Sequence, residues 1–355
     1  MSDAMTSSAG SEWGARVAAV LAASYGLEVA TITQLPIGQG TTNFRVVCDD
    51  GLEAFVKHYP AGTDLGAERE AIALSALAVD SGIPGAQVLP NEKGEVIDAG
   101  GELPVSVWEW MPGRVETHLS AAQLTAAGNA LGRVHALFAP LPTGPDPDAG
   151  VRAWRTPDVD ELTATINRLL EIIAGRVRAG VADTFDVEAQ RTLLERRSML
   201  NRVPGLLADL PEKLTVQVLH GDYSPVNLLF QGDALSAVLD YRPPNPPFLL
   251  AYDLGRMAFY PNTVADDPAW PDAAVTFIRA YRKAHPAVPA VDVRACGRVA
   301  LLQLLTSLYG VKQHYLKPGL FQADLDEFWL LRHHTAGVLL AQLAGTDALL
   351  ADLAG

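Results

Sequence analysis

The run His220-Gly221-Asp222-Tyr223-Ser224-Pro225-Val226-Asn227, with Asp240 eighteen residues beyond Asp222, constrains this chain more than any other feature. The apolar residues 216–219 before it predict a buried strand that delivers a loop. Residues 228–230, the turn Gln231-Gly232-Asp233 and residues 235–239 predict a hairpin, which would bring Asn227 and Asp240 to the same end. The order H-x-D-x-x-x-x-N, then D, is that of phosphoryl-transfer sites. The residue types suit that chemistry. A first Asp orients the proton of an attacking hydroxyl, while an Asn and a second Asp supply hard oxygens to Mg²⁺. A lone His-Gly-Asp would be an ordinary surface turn, but the full spacing and the elements upstream argue against that.

Upstream, residues 42–48, the turn Asp49-Asp50-Gly51 and residues 52–58 form a strong hairpin signal. Asp64 is placed to cap a helix over 66–80, which Ser81-Gly82-Ile83-Pro84 would end. Strands are expected at 31–35, 86–89, 95–97 and 103–110. Ser11 is placed to cap a helix to about residue 25, with residues 1–10 a disordered leader. Beyond Met111-Pro112-Gly113 the pattern turns helical: 121–138, 159–177 and 187–203, then 248–260, 273–284, 291–314 and 323–344. The segment 140–150, PLPTGPDPDAG, reads as a loop. These elements predict an α+β fold in two lobes: a β-rich N-lobe over 11–110 with one internal helix, a hinge at 111–113, and a larger, mainly helical C-lobe over 114–355 that holds the catalytic loop.

HGDYSPVN, then VLDY, then AYDLGR resembles the aminoglycoside phosphotransferase, choline kinase and homoserine kinase superfamily, small-molecule kinases with the protein-kinase-like bilobal fold. The resemblance runs from about residue 35 to 259. It implies that Asp222 is catalytic and that Asn227 and Asp240 bind magnesium. Ile37-Gly38-Gln39-Gly40-Thr41-Thr42-Asn43 sits where a nucleotide loop would turn, with glycines that let backbone N–H groups approach phosphates. It is neither a Walker loop nor a full G-x-G-x-x-G, since Asn43 occupies the third glycine's place. The expected nucleotide contacts are therefore Gly38, Gly40, Thr41 and Asn43, with Lys57 on the phosphates. Glu68 and Glu70 both compete as the partner of Lys57, and the family pattern favours Glu70. Backbone groups of Glu109 to Met111 would meet the adenine. Asp253 is expected to brace the catalytic loop, and His220 to be scaffold. Twelve residues lie between Asp240 and Asp253 and prolines stiffen them, so no long activation segment exists and a protein substrate is disfavoured.

The net charge of −14 argues against nucleic acid and anionic membranes as partners. No apolar run approaches a membrane span. Cys48 and Cys296 offer neither a disulfide framework nor a zinc pattern and suit a reducing, cytoplasmic setting. The expected activity is transfer of phosphate from ATP or GTP, with Mg²⁺, to a hydroxyl of a small molecule, by a monomer or homodimer. An aminoglycoside-like antibiotic ranks first as acceptor. A homoserine-like or choline-like amino alcohol, or a sugar, is the alternative. The rival from another class is a catalytically silent nucleotide-binding protein of the same fold. Candidate acceptor contacts are Tyr223, Ser224, Arg242, His314 and Trp329, with Tyr315, Glu327, His333 and His334 behind them. Adjacent His333 and His334 point about 100° apart on a helix and cannot easily share one ion.

Overall fold

The computed structural model describes residues 3–38, 40–101, 103–318 and 321–355, with side chains from Trp13 onward. Two compact units emerge. The first comprises Met1–Arg114 with Leu229–Gln231 and Ser236–Tyr241; the second comprises Val115–Leu228, Gly232–Leu235 and Arg242–Gly355. Two short stretches from the middle of the chain, one of them ending at Asp240 and Tyr241, thus cluster with the N-terminal residues, which a simple cut at the hinge does not anticipate.

The first unit contains α1 (Asp3–Tyr25), β1 (Val29–Leu35), β2 (Thr42–Cys48), β3 (Glu53–His58), α2 (Leu65–Asp80), β4 (Val88–Leu89) and β5 (Val105–Glu109). The strands form one antiparallel sheet in the order β1-β2-β3-β5-β4. Alternation along β3 buries Ala54, Val56 and His58. Val56 joins Phe44, Val46, Val105 and Val107 of the sheet and Val17 and Leu21 of α1 in one apolar core. The period of two places Phe55 and Lys57 on the opposite face. Asp64 caps α2 by accepting the N–H groups of Gly66 and Ala67.

Two expectations need correction here. Helix α1 begins at Asp3 and not at Ser11, so residues 3–10 are helical and not a disordered leader; an Ala- and Ser-rich stretch without proline has nothing to stop the helix. Met1 and Ser2 lie outside the described residues. Residues 95–97 make no strand. Asn91 instead folds them into a turn by accepting the N–H groups of Lys93 and Glu95, and the only pairing nearby is the bridge Asp98–Val105 among the described residues.

The second unit opens with α3 (Ala121–Phe138), α4 (Ala149–Arg155), α5 (Val159–Arg178), α6 (Thr184–Met199) and α7 (Val203–Ala208), followed by β6 (Val216–Gln217). In chain order hairpin β7 (Leu228–Gln231) and β8 (Ala234–Val238) comes next, most of it belonging to the first unit, then β9 (Phe248–Leu249) of the second, which pairs with β6. The rest is helical: α8 (Leu250–Ala258), α9 (Pro261–Asp266), α10 (Trp270–Ala284), α11 (Ala290–Thr306), α12 (Val311–Leu316), α13 (Gln322–Ala341) and α14 (Leu343–Ala354). Residues 291–314 are thus two helices, because Gly310 takes a left-handed φ of 95° between them. Residues expected as the tail of a loop start α4, since Asp146 accepts the Arg152 guanidinium and steadies its first turn. No single helix among the described residues is long and apolar enough to cross a membrane.

Candidate active site

In the second unit, β6 leads into the loop 220–227. Gly221 has φ +85°, and a Cβ there would overlap the Arg242 carbonyl oxygen, so only glycine fits. The Arg242 N–H in turn donates to the His220 carbonyl at 2.7 Å. Asp253 of α8, fully buried, accepts the Gly221 N–H at 3.1 and 3.2 Å and lies 3.4 Å from His135 Nε2. It is the brace that its position in AYDLGR suggests. Burial alone would raise the Asp253 carboxyl. The His135 hydrogen bond, the charges of His135 and His220 and the Gly221 N–H outweigh it and hold the group below the usual carboxylate range. His220 is fully buried, and its Nδ1 accepts the Asp222 N–H, so it shapes the loop as scaffold.

Asp222 is held from two sides. Arg256 Nη2 donates to its Oδ1, and Asn227 Nδ2 donates to its Oδ2 at 3.0 Å and to its carbonyl at 2.8 Å. Burial alone would lower the Arg256 guanidinium, but Asp222 and the surrounding phenols and carboxylate hold it above its ordinary value. With its amide nitrogen committed to Asp222, Asn227 keeps the amide oxygen as its remaining donor atom for a metal.

In the first unit, Lys57 is mostly buried and lies 3.0 Å from Asp240 Oδ1 and 3.5 Å from Glu68 Oε2. Glu68 is therefore the partner, and the expectation of Glu70 is corrected. Glu68, Ile72 and Ser75 share the α2 face that turns inward, whereas Glu70 is rotated about 200° from Glu68 and is exposed. Asp240 has φ +54°, the only non-glycine residue in the left-handed region among those described. A short acid tolerates that conformation, and such strain concentrates at functional positions.

Asn43 fixes the turn between β1 and β2. Its Nδ2 donates to the Ile37 carbonyl at 3.0 Å, and its Oδ1 accepts from Thr41 Oγ1 at 3.1 Å. A Cβ on Gly38, at φ +99°, would press on Asn43. Asn43 and Thr41 thus shape the loop, and Gly40 has open space around it. At the hinge the Glu109 N–H already donates to the Gln87 carbonyl at 2.8 Å, which takes it out of adenine recognition; Met111 is half-buried beyond the strand end.

Most of the expected acceptor contacts are committed to packing or to other partners. Tyr223 and Trp329 are fully buried core residues, whose polar tips donate to the Ala127 carbonyl and Thr192 Oγ1. Ser224 is buried and donates to the Asp222 carbonyl at 3.2 Å. His314 pairs with Asp326 at 2.8 Å and packs on Phe185. Large aromatic and polar residues in the right region of sequence drew attention, but a buried phenol or indole with a satisfied tip is packing. Tyr315 donates to Asp186, His333 bonds Glu195, and His334 faces outward, away from His333 as helical spacing requires. Of the five, Arg242 is exposed beside the loop, its charge reaching Tyr309. Sequence reasoning missed Arg256 and Arg332. The signal for the first was present: Arg256 stands three residues after Asp253, on the same helix face.

Comparison with solved structures identifies the fold. An amicoumacin kinase, solved in complex with AMP-PNP, Ca²⁺ and Ami, superposes over 91% of this chain and 93% of its own with a TM-score of 0.57 and 16% identity. A spectinomycin phosphotransferase in complex with ADP and spectinomycin covers 91% and 97%, with a TM-score of 0.58 and 12% identity. A microcompartment-associated aminopropanol kinase covers 94% and 98%, at 0.55 and 16%. The chain has the kinase-like α+β fold of these small-molecule phosphotransferases. It belongs to the phosphotransferase enzyme family, whose model matches residues 31–292. Among curated relatives, a homoserine kinase of Afipia carboxidovorans is 28% identical over 206 residues, 58% of this chain. The chain spans a little over half, 56%, of that relative's length.

Proposed function

We propose that the chain is an ATP- and Mg²⁺-dependent kinase that phosphorylates a hydroxyl of a small molecule. The observation that carries this reading is the Asp222 carboxylate, fixed by Arg256 and Asn227 on a loop tied down by Asp253. A carboxylate so held is poised to orient an acceptor hydroxyl. The hydroxyl oxygen attacks the terminal phosphorus, the bond to the bridging oxygen breaks, ADP departs, and Asp222 receives the hydroxyl proton. Lys57, paired with Asp240 and Glu68, is the cation for the phosphates. Asp240 and the free amide oxygen of Asn227 are the hard oxygen donors that Mg²⁺ prefers, and few protein ligands suffice where phosphates supply others. The metal would neutralise phosphate charge. Gly38 and Gly40 border the nucleotide, and the Met111 backbone is the candidate for the adenine.

For the acceptor we rank a compact amino alcohol or hydroxy amino acid above an aminoglycoside, reversing the order that sequence alone suggests. Two guanidiniums, Arg256 and Arg332, occur together on one cavity of the second unit. Such surroundings disfavour a polycation. The homoserine kinase likeness leans the same way. A silent binding protein is disfavoured by the joint presence of Lys57, Asp222, Asn227 and Asp240.

The test is ADP release on a panel of hydroxy amino acids, amino alcohols, sugars and aminoglycosides. Asp222→Ala and Asp222→Asn should lower turnover by about 10²–10⁴-fold, as loss of a proton-handling group does, while nucleotide affinity holds. If either variant keeps near-native turnover, Asp222 does not orient the hydroxyl.

A further inference from the structure

Arg332, on α13, is buried, with a relative exposure of 7%. Its Nε and Nη2 make no hydrogen bond, and neither does Arg256 Nε beside it. The guanidinium lies over the Phe328 ring, whose centroid is 5.5 Å from its central carbon. Both arginines line a cavity of about 30 Å³ with Tyr252, Tyr260, Gln303 and Phe328. That exceeds the roughly 10–15 Å³ that one water needs, and takes a group of a few heavy atoms.

The two guanidiniums are unequally partnered. Asp222 and Asp253 act on Arg256, whereas, burial apart, the largest influences on Arg332 are Arg256 itself and the phenols of Tyr252, Tyr260 and Tyr309. Burial and the neighbouring Arg256 push Arg332 down to about 10, so it remains a cation at neutral pH. Arg196, the next guanidinium, also leaves Nε and Nη2 without partners, but its Nη1 donates to the Leu304 and Ser307 carbonyls at the end of α11. Arg332 instead lines the cavity beside Arg256. A buried, unpaired guanidinium is costly, and Arg332 lines a cavity together with the side chain that grips Asp222.

The geometry points to an anion subsite in which Arg332 and Arg256 Nε receive a carboxylate of the acceptor, whose hydroxyl is thereby set against Asp222. This rests on the kinase reading and deepens it: the substrate class becomes a small hydroxy acid, an amine permitted. Arg332 is a binding residue and Arg256 serves two partners, since its Nη2 holds Asp222 while its Nε is free for the anion. A guanidinium fork suits a planar carboxylate in this way.

The experiment uses acceptor pairs that differ only in the carboxylate: homoserine against 3-aminopropan-1-ol, and serine against ethanolamine. In at least one pair the acid should be the better substrate by about 10- to 100-fold in kcat/KM, the range one charged hydrogen-bonded contact gives. Arg332→Met should collapse that ratio, chiefly through KM for the acid, and should change the carboxylate-free partner much less. Arg332→Lys should restore part of the ratio. Thermal unfolding separates this from a structural role: Arg332→Met should match or exceed the native Tm, because it removes an unpaired charge at similar volume. Calorimetry with homoserine and with inorganic phosphate reads the subsite without turnover. Equal turnover of both members of every pair, an unchanged ratio in Arg332→Met, or phosphate binding in place of the acid overturns the subsite. Absence of turnover on every compound, with intact binding of an acid lost in Arg332→Met, would sink the kinase reading and leave the subsite standing.

Discussion

Replacing Asp253 by alanine should unfold this chain more readily than any other single truncation near the loop, and the size can be worked out. Asp253 is fully buried and accepts the Gly221 N–H twice over, at 3.1 and 3.2 Å, with His135 Nε2 at 3.4 Å on the same carboxylate. Truncation leaves the Gly221 N–H and the fully buried His135 ring without that partner. Each orphaned group costs about 1–3 kcal/mol, so the loss should be about 2–6 kcal/mol, comparable to breaking a buried ion pair. The Asp253→Asn variant keeps a side-chain oxygen for the Gly221 N–H, so it should lose about half as much. The sign with pH follows from the folded carboxyl lying below its unfolded value. Its contribution is fully present above the unfolded pKa of about 4 and is lost as pH falls through the folded value. The gap between native and Asp253→Asn should therefore be widest near neutrality and close in acid. Urea unfolding between pH 7 and 3 is the assay. A loss under about 1 kcal/mol for Asp253→Ala, or a gap that widens in acid, would refute the brace.

Lys57→Ala should raise KM for ATP, and a double-mutant cycle should find coupling of about 0.5–3 kcal/mol with Glu68 and none with Glu70, read from kcat/KM. Gly221→Ala should cut kcat with little change in nucleotide affinity, because a Cβ against the Arg242 carbonyl displaces the loop and not the first unit; single-turnover kinetics would show it. Asp240→Ala should weaken nucleotide binding most at limiting Mg²⁺, and calorimetry that finds metal-independent, unchanged affinity would remove Asp240 from the metal site.

The legible parts of the sequence were those fixed by short-range rules. The β2–β3 hairpin follows from Asp49-Asp50-Gly51 between alternating strands, and α2 from the Asp64 cap. Helix α3 carries a capping box of Ser120 and Gln123 that sets its start. The loop motif was legible because its residues are contiguous. The choice between Glu68 and Glu70 was decided by rotation about the α2 axis, which needs to know the inward face, and Ile72 and Ser75 mark it. The acceptor side was least legible. Tyr223, His314 and Trp329 look chemical in sequence, but burial with satisfied polar tips turns them into packing. Arg332 gave no signal beyond one cation in the apolar run 328–340, and its meaning depends on neighbours from α8 and α11.

The acceptor question also shows why bulk charge misleads. A net charge of −14 invites an amine-bearing substrate, yet screening removes most of that field within about 10 Å of each surface charge. What a ligand meets is local. Two guanidiniums, Arg256 and Arg332, line the cavity beside the Asp222 loop, and three of their nitrogens are buried without partners. The acidic surface serves solubility, while the cavity lining carries cations and no carboxylate. An aminoglycoside would bring several positive charges to that cavity and find no carboxylate in its lining to offset them. A hydroxy amino acid brings its carboxylate to the arginines and keeps its single amine free to face outward. If ranked activities ran instead from aminoglycosides down to hydroxy acids, the local field would not be what selects the acceptor, and the arginine pair would have to be explained by folding alone.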